Sequence, residues 1–340
     1  MSEPLVQIEG IGGLIRPRLP DWARKPRTHF PSLNRLKSQF RQFNLHTVCE
    51  SARCPNIHDC FHRGAATFMI LGERCTRSCG FCAVPRGPKG RMPALDPEEP
   101  ENVARMAAAM NLRYVVITSV NRDDLPDGGS VHFADTVRAV RRALPAARVE
   151  VLTPDFRGDL AAVARVLEAG PHVFNHNIET VPRLYHRVRP QADYQQSLSV
   201  MRFAHGGAGA PVCGSAPDSA CQRPLTKSGF MVGLGETEEE VHALLRDLRE
   251  AGTSIVTIGQ YLQPTRRNLP VAAYIEPRQF ERYREFGLSL GFQAVFSGPL
   301  VRSSYMAEMV ADEASEPRRD EASEPRPLGS GSSLIPRSPC

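Results

Sequence analysis

Six short apolar segments, separated by helical segments, constrain the fold of this 340-residue chain more than any other feature. They are rich in Val, Ile and Phe, as strands buried on both faces are. Their positions are 66–71, 114–119, 148–152, 172–177, 228–233 and 255–260. Such a series predicts an α/β fold with a parallel sheet.

The intervening helical segments carry the expected end signals. They cover residues 97–110, 130–144, 159–170 and 236–252. Pro and acidic residues open the first, and Gly252 ends the last, as helix termini favour. A closed barrel of this kind has eight units. Six units therefore predict a partial (β/α)6 parallel barrel, open on one side, with its active site at the carboxyl ends of the strands.

Three cysteines follow the first predicted strand. Cys75, Cys79 and Cys82 lie in the segment GERCTRSCGFCAVPRG, residues 72–87. Three thiolates on one short loop can bind three irons of a four-iron cluster and leave the fourth iron free for a substrate or cofactor. A zinc knuckle, which would need four closed ligands, is the alternative, and chance clustering is another.

A second cysteine triplet lies just upstream. Cys49, Cys54 and Cys60 occur in HTVCESARCPNIHDCF and indicate a second cluster. No apolar run approaches the roughly 20 residues that span a bilayer, and the N-terminal residues do not read as a targeting peptide. We therefore expect the cytoplasm, where thiols stay reduced and closely spaced cysteines favour metal binding over disulfides.

The net charge is +5, and the basic residues are 38 Arg and four Lys. Such an excess of Arg over Lys reflects the base composition of a genome. We therefore interpret the positive charge as solvated surface charge rather than as a nucleic-acid-binding surface. An acidic protein partner would also suit a weakly basic surface.

The Cys75 triplet, with its Phe81–Cys82 pair, resembles the motif of the radical S-adenosylmethionine superfamily. The six cysteines together resemble the pattern of one family within it, the lipoyl synthases. The resemblance covers roughly residues 20–310. Its blocks include SARCPN, ATFMILG, CTRSCGFC, RYVVITSVNRDDLPDGG, PDFRG, FNHNIETVPRLY, VRPQADY, TKSGFMVGLGET, GQYLQPTRRNLPV and GPLVRSSYMAE.

The resemblance implies a sulfurtransferase that inserts two sulfur atoms, at C6 and C8, into a protein-bound octanoyl-lysine. It implies two [4Fe-4S] clusters per chain and two molecules of S-adenosyl-L-methionine consumed per lipoyl group, with sulfur supplied by the auxiliary cluster. The implied partners are octanoylated carrier domains (2-oxoacid dehydrogenase E2 and glycine cleavage H protein), an electron donor and an iron-sulfur carrier. No nucleic acid and no membrane are implied.

The resemblance also implies the cluster ligands. Cys75, Cys79 and Cys82 would hold the cluster that binds S-adenosylmethionine. Cys49, Cys54 and Cys60 would hold the auxiliary cluster together with a serine from the block Arg302–Tyr305; the assignment is Ser304, with Ser303 as the alternative. A hard alkoxide is a poor match for a soft iron–sulfur centre and suits a cluster that gives up sulfur. Arg302 is expected close to the auxiliary cluster, or alternatively in an ordinary salt bridge. No residue is assigned as catalytic.

Polar residues at two strand ends are candidates for binding S-adenosylmethionine. They are Thr118, Ser119, Asn121 and Asp123 after the second strand and Asn175, Asn177 and Glu179 after the fourth. Helix capping or loop hydrogen bonding is the alternative role for each. His176 is expected to be a packed histidine. Lys227, the one Lys after residue 89, is expected near a carboxylate.

The chain is predicted to have three parts. Residues 1–62 form an N-terminal extension with the auxiliary-cluster cysteines, residues 63–310 form the partial barrel, and residues 311–340 form a disordered tail. A Gly-, Ala- and Pro-rich loop at 206–224 contains Cys213 and Cys221, for which no metal site is expected; Cys340 is taken as incidental.

Two other functions compete with this interpretation. The first is another two-cluster radical enzyme, of the methylthiotransferase kind, for which residues after 310 offer no room for an RNA-binding domain. The second is a non-enzymatic zinc- or cluster-binding module, which would not cleave S-adenosylmethionine.

Overall fold

Seven parallel strands and one short antiparallel strand form a single sheet whose spatial order follows the chain. The structure is a computed structural model. It describes residues 19–24, 38, 40–51, 56, 66–88, 90–206 and 223–304, apart from the side chains of Cys49 and Ser51. The strands are β1 (His46–Thr47), β2 (Ala66–Ile70), β3 (Tyr114–Ser119), β4 (Arg148–Leu152), β5 (Val173–Asn175), β6 (Leu225–Val232), β7 (Ile255–Gln260) and β8 (Ala294–Gly298).

Helices connect the parallel strands. They are α1 (Val48–Ser51), α2 (Glu99–Ala109), α3 (Ser130–Ala143), α4 (Leu160–Glu168), α5 (Tyr185–Val188), α6 (Tyr194–Gly206), α7 (Glu238–Glu250) and α8 (Pro277–Ser289). Single 3₁₀ turns cover Asp21–Ala23, Phe156–Gly158 and Pro182–Leu184. Among these residues, no helix is long and apolar enough to cross a membrane.

The sheet is an open barrel. β1 pairs antiparallel with β2, whereas β2 to β8 pair in parallel, each with the next strand along the chain. Within the described part of the chain, β1 and β8 stand at the two ends of the strand order. The predicted α/β partial barrel is therefore confirmed.

Six β/α units are present, as predicted, and a seventh parallel strand, β8, follows the sixth unit. The sequence prediction did not include β8, α6 or α8. It also began the fifth strand at residue 228, whereas β6 begins at Leu225. β8 is only five residues long and ends in Ser and Gly, so its sequence resembles a turn as much as a strand.

Alternation along the strands separates an outer face from an inner face. Val115, Val149 and Val151 share one apolar core with Val103 of α2 and Phe133 of α3. Ile117 and Phe174 belong to the same core. Glu150, Thr118 and Asn175, which alternate with these core residues along their strands, therefore point into the barrel. The inner face is where polar side chains are concentrated.

Two helices begin with side-chain caps that the sequence encodes locally. Asp159 accepts hydrogen bonds from the backbone amides of Ala161 and Ala162 at the start of α4. Thr237 and Glu240 form a capping box at the start of α7. Such caps satisfy amides that have no partner within the helix. They fix the strand-to-helix turns at the carboxyl end of the sheet.

The three predicted parts of the chain stay a prediction. Residues 1–18, Cys54, Cys60, the loop 207–222 and residues 305–340 lie outside the described residues. The predicted tail and the cysteines Cys213, Cys221 and Cys340 lie there too.

Candidate active site

The loop that follows β2 carries Cys75, Cys79 and Cys82, and other loops hold it by backbone hydrogen bonds. Cys75 is bonded on both sides, to the Pro85 carbonyl through its amide and to the Gly87 amide through its carbonyl. The Gly80 amide donates to the carbonyl of Val188, the last residue of α5 (2.9 Å), and the Leu269 amide donates to the Gly80 carbonyl (2.9 Å). The loop is therefore tied to the end of α5 and to the segment that follows β7.

The side chain of Asn268 adds a further tie. Its Nδ2 donates to the carbonyl oxygens of Cys82 (2.8 Å) and Gly80 (3.2 Å). The Cys75 Sγ accepts hydrogen bonds from the backbone amides of Asn121 (3.3 Å) and Arg77 (3.4 Å). Amide donors to a ligand sulfur tune an iron–sulfur cluster. The loop conformation thus resembles a site prepared for cluster binding.

The three thiols are free and partly buried. Burial raises the pKa of the Cys79 thiol to about 11, although the Arg189 guanidinium opposes the rise. Burial likewise raises the pKa of Cys82 to about 12, opposed by a backbone hydrogen bond at Val84. The thiols of Cys79 and Cys82 must therefore lose a proton to bind iron.

The described residues contain no group of three or more His, Cys, Asp or Glu side chains arranged to hold a metal ion. In a four-iron cluster each cysteine binds a different iron. The thiols of Cys75, Cys79 and Cys82 therefore need not converge on one point, as the ligands of a single metal ion would.

Arg77 links the loop of residues 72–87, called the cysteine loop below, to two strand ends. Its guanidinium pairs with Asp123 after β3 (Nε–Oδ2 2.7 Å) and with Asp155 after β4 (Nη2–Oδ1 2.7 Å). The Arg77 side chain is only 3% exposed, and that of Asp155 is fully buried. Burial would raise the pKa of Asp155, but the hydrogen bonds and charge of Arg77 outweigh it and hold that pKa well below its usual range. Both Asp123 and Asp155 therefore act as anchors of the loop.

The predicted strand-end residues fall into several roles. Thr118 donates its hydroxyl to the Leu152 carbonyl (2.9 Å), which is a contact within the sheet. Asn121 contacts the cysteine loop through its backbone, because its carbonyl accepts from the Thr76 amide (3.0 Å). Asn177 donates from Nδ2 to Glu179 (3.2 Å) and to the Ser303 hydroxyl (2.7 Å). Burial raises the pKa of Glu179, against the charge of Arg189.

Buried polar atoms without a hydrogen-bond partner are concentrated at the same strand ends. Five of the nine such side-chain atoms among the described residues lie at or within two residues of the carboxyl ends of β3 and β5. They are Ser119 Oγ, Asn121 Oδ1, Asn175 Oδ1, His176 Nε2 and Asn177 Oδ1. All five can accept hydrogen bonds, because His176 has its Nδ1 against the Thr153 carbonyl at 2.9 Å.

Buried polar atoms normally have partners. A ligand rich in donors, with an ammonium group, ribose hydroxyls and an exocyclic amine, would supply them to these five acceptors. The residues present therefore fit S-adenosylmethionine. His176 is also a packed histidine, as expected.

The loop after β8 enters the mouth of the barrel because two strand positions are glycine. A Cβ on Gly259 of β7 would lie 2.3 Å from the Val301 carbonyl oxygen. A Cβ on Gly229 of β6 would lie 3.1 Å from Ser303 Oγ and 2.5 Å from Thr257 Oγ1. Side chains at these two positions would push the loop away, so the glycines allow Ser303 to reach Asn177.

The segment of the upstream cysteines meets this C-terminal loop. Asn56, two residues after Cys54, is fully buried and donates from Nδ2 to the Leu300 carbonyl at 2.8 Å. Cys54 and Cys60 themselves lie outside the described residues, as does Tyr305. Arg302 donates to the carbonyls of Pro299 (3.4 Å) and Val301 (2.6 Å).

The barrel interior below the site contains a buried ion pair. The Lys227 ammonium lies 3.0 Å from both carboxylate oxygens of Glu150, and both side chains are fully buried. Glu150 also accepts from Tyr114 (2.8 Å) and Asn175 Nδ2 (2.9 Å). The expected carboxylate near Lys227 is confirmed. The network orients Asn175, whose Oδ1 is one of the five acceptors.

Sequence reasoning missed three residues of the site: Arg77, Asp155 and Arg189. Buried Arg189 donates to the Asn177 carbonyl (3.0 Å) and to the Tyr185 hydroxyl (2.8 Å). Arg77 lies inside the cysteine loop, and Asp155 follows a predicted strand. A charged residue between ligand cysteines, and a carboxylate directly after a strand, are the signals that could have identified Arg77 and Asp155.

Comparison with known proteins agrees with this geometry. The radical SAM superfamily matches residues 69–248, and the N-terminal domain of lipoyl synthase of the radical SAM family matches residues 10–54. A lipoyl synthase of Rubrobacter xylanophilus is 54% identical over 305 residues, which are 90% of this chain and 88% of that protein. A lipoyl synthase of Thermus thermophilus is 52% identical, over 87% of this chain and 88% of that protein.

Among solved structures, methylornithine synthase covers 67% of this chain and 70% of its own, at 16% identity and a TM-score of 0.49.

Proposed function

The chain belongs to the lipoyl synthase family of radical S-adenosylmethionine enzymes, and from that premise we propose how its residues divide the work. The family's reaction is the insertion of two sulfur atoms, at C6 and C8, into a protein-bound octanoyl-lysine. S-adenosylmethionine and a [4Fe-4S] cluster belong to the superfamily, and together they supply a 5′-deoxyadenosyl radical that abstracts hydrogen.

Cys75, Cys79 and Cys82 are the proposed ligands of that first cluster. The support is the loop itself: three free thiols sit on a segment fixed by Asn121, Val188 and Leu269, with backbone amides donating to the Cys75 sulfur. These hydrogen bonds set the conformation of the loop before iron binds. The loop therefore needs to rearrange little when the cluster forms.

S-adenosylmethionine is proposed to bind at the carboxyl ends of β3 and β5. The five buried acceptors there carry the argument. Ser119, Asn121, Asn175 and Asn177 accept from its ammonium, hydroxyl and amine groups. Thr118 and Asp123 act indirectly, because their side chains bond to Leu152 and Arg77. Glu179 stays a proposed contact through its hydrogen bond with Asn177.

A second, auxiliary cluster is proposed on Cys49, Cys54, Cys60 and Ser304, with Ser303 as the alternative serine. The supporting observation is the bond from Asn56 to Leu300, which joins the upstream segment to the loop that ends in these serines. Ser303 already accepts a hydrogen bond from Asn177, and this occupation of its hydroxyl favours Ser304. This cluster supplies the sulfur.

The proposed protein substrates are octanoylated carrier domains, those of 2-oxoacid dehydrogenase E2 and glycine cleavage H protein. An electron donor and an iron-sulfur carrier complete the proposed partners. The substrate lysine must enter from the carboxyl face of the sheet, because the cysteine loop and the C-terminal loop both lie there.

Two cysteine variants test the division of labour. Anaerobically reconstituted protein should hold about eight irons per chain if it has two four-iron clusters. Cys75→Ala should abolish deoxyadenosine formation, whereas Cys54→Ala should keep some S-adenosylmethionine cleavage and add no sulfur to an octanoyl-lysine peptide, as followed by mass spectrometry. Equal loss of both activities in both variants would contradict separate roles.

A further inference from the structure

Positive charge is concentrated in the loops that surround the cysteine loop. Residues 72–92 contain Arg74, Arg77, Arg86, Lys89 and Arg91 and one acidic residue, Glu73. Residues 182–192, around α5, and residues 261–275, after β7, also contain Arg and no acidic residue. The Asp residues of this end of the sheet follow β3 and β4 instead, where Arg77 and Arg122 neutralise several of them.

Four arginines of these loops lie beside the cysteine loop. The backbone of Arg86 forms a bridge with Cys75. The Arg187 carbonyl is 3.2 Å from the Cβ position of Gly80. Arg266 and Arg267 immediately precede Asn268, which bonds to Cys82. We call Arg86, Arg187, Arg266 and Arg267 the arginine rim.

All four rim side chains are exposed. Their guanidinium groups form no ion pair or hydrogen bond with the described residues, whereas Arg138 pairs with Asp135 and Arg183 with Glu240. Exposed Arg202 of α6 and Arg278 of α8 have no such partner either, so the four rim arginines are distinguished by their grouping at the cysteine loop. Unpaired like charges near one another repel, so they are retained at a cost unless a partner of opposite charge neutralises them.

We propose that the arginine rim is the docking surface for the carrier domain, and that it binds a face of that domain where carboxylates surround the octanoyl-lysine. This inference rests on the proposed function and names the surface that selects its substrate. The four rim residues belong to three segments that lie in or against the cysteine loop, so a domain bound there would deliver its lysine arm to the neighbouring strand ends.

A folded protein fits the rim better than a nucleic acid does. Single strands bind on exposed aromatic rings as well as on positive charge. The large hydrophobic residues that are exposed among the described residues are Val131 and Leu160, and neither is aromatic. Four exposed arginines without aromatic stacking partners are typical of a surface that attracts and orients an acidic protein by electrostatic steering.

Charge reversal tests the surface. The variants are Arg266→Glu with Arg267→Glu, and Arg86→Glu with Arg187→Glu. The matched control is Arg113→Glu with Arg202→Glu; both residues are exposed. Arg113 immediately precedes β3 and Arg202 lies in the latter half of α6, so both lie away from the carboxyl ends of the strands. Two substrates are compared: an intact octanoylated carrier domain, and a short peptide with octanoyl-lysine between neutral residues.

With the intact domain, each rim variant should lose at least about tenfold in kcat/KM, and in affinity for a fluorescently labelled domain measured without reductant. With the peptide, sulfur insertion should stay within about twofold of wild type, because the rim steers the domain but does not touch the reacting atoms. Raising NaCl from about 0.05 to 0.3 M should weaken wild-type binding of the domain more than that of the variants.

Three results would overturn the docking surface: equal loss in the rim and control variants, equal loss on peptide and domain, or unchanged affinity for the domain. A wild-type enzyme that adds no sulfur to either substrate would instead contradict the proposed function, and the inference would fall with it. Rim variants that bind the domain normally while the peptide is still thiolated would leave the proposed function intact and reject the rim alone.

Discussion

The side-chain amide of Asn56 donates a hydrogen bond to the carbonyl oxygen of Leu300 at 2.8 Å, across 244 positions of sequence. One residue lies in the segment of the upstream cysteines, and the other lies in the loop that ends in Ser303 and Ser304. A site made of ligands from both segments needs such a link, because neither segment alone holds four ligands.

Removal of the Asn56–Leu300 hydrogen bond should impair sulfur insertion but not the cleavage of S-adenosylmethionine. Asn56→Ala deletes a buried donor and leaves the Leu300 carbonyl without it, at a cost of about 1–3 kcal/mol. Sulfur insertion into an octanoyl-lysine peptide should fall sharply while deoxyadenosine formation persists. Ser199→Ala, which removes an exposed hydroxyl bonded to the Gln195 carbonyl at 2.9 Å on α6, is the control and should leave both unchanged. Parallel loss of both activities in Asn56→Ala would refute the link.

Gly259 should tolerate no side chain. The Cβ of Gly259→Ala would lie 2.3 Å from the Val301 carbonyl, and overpacking of this kind costs about 1–3 kcal/mol. A displacement of about 1 Å at a reacting group can lower a rate about 10²-fold, so sulfur insertion should drop much more than S-adenosylmethionine cleavage.

The neighbouring strand offers the control. The Cβ of Gly298→Ala would meet Val301 at 3.4 Å, an ordinary contact, and this variant should behave as wild type. Iron content, sulfur insertion and S-adenosylmethionine cleavage are measured for both variants. Similar defects in the two alanine variants would show that the distance from the new Cβ to Val301 does not cause the loss.

Arg77 should be required for stability as well as for the cysteine loop. Arg77→Met leaves the buried Asp155 carboxylate without its cation, which typically costs about 3–5 kcal/mol. Arg77→Lys restores the charge but not the two-pronged geometry and should recover part of the loss. Urea unfolding and the electron paramagnetic resonance signal of the reduced cluster would measure the two effects.

The defect of Arg77→Met should shrink in acid. In wild type the pKa of Asp155 is held below its usual range, so its contribution to stability is present above the unfolded pKa and is lost only as pH falls towards the folded pKa. In the variant, burial alone remains and favours the protonated acid. Arg138→Met, which breaks an exposed pair, should show little change at any pH; a pH-independent defect in Arg77→Met would contradict this account.

His176 should make the fold acid-sensitive. Burial, together with the charge of Arg189, lowers the pKa of His176 to about 4 from 6.5. The unfolded chain therefore binds a proton first as pH falls below 6.5, and stability is lost down to about pH 4. Between pH 7 and 5 the loss from this residue is about 2 kcal/mol.

His176→Gln carries no titrating group at this position, so its free energy of unfolding should decline less over the same range. Urea midpoints measured at half-unit steps of pH for both proteins provide the comparison. Identical slopes in the two proteins would exclude His176 as the source of the acid sensitivity.

Much of the fold could be read from local patterns. The strand pattern of 114–119 and the helix signals of 236–252 depend on neighbouring residues, and the structure places β3 and α7 there. β8 was missed because its five residues include Ser and Gly, and only pairing with β7 makes them a strand. Arg77 was missed because its two partners lie 46 and 78 positions away.

The sequence by itself determined the β/α order, the position of the cysteine loop after the first parallel strand and, through its motifs, the family. The first two follow from short-range periodicity and spacing, and the family follows from the resemblance of its motifs. Only the tertiary structure decided which strand-end atoms stay without partners, how Arg77 pairs with Asp123 and Asp155, and how the loop of Ser303 reaches Asn177 past Gly229 and Gly259. The reason is physical: each of these depends on distances of a few ångströms between residues far apart in the chain, and such distances exist only once the sheet has formed and curved around its interior.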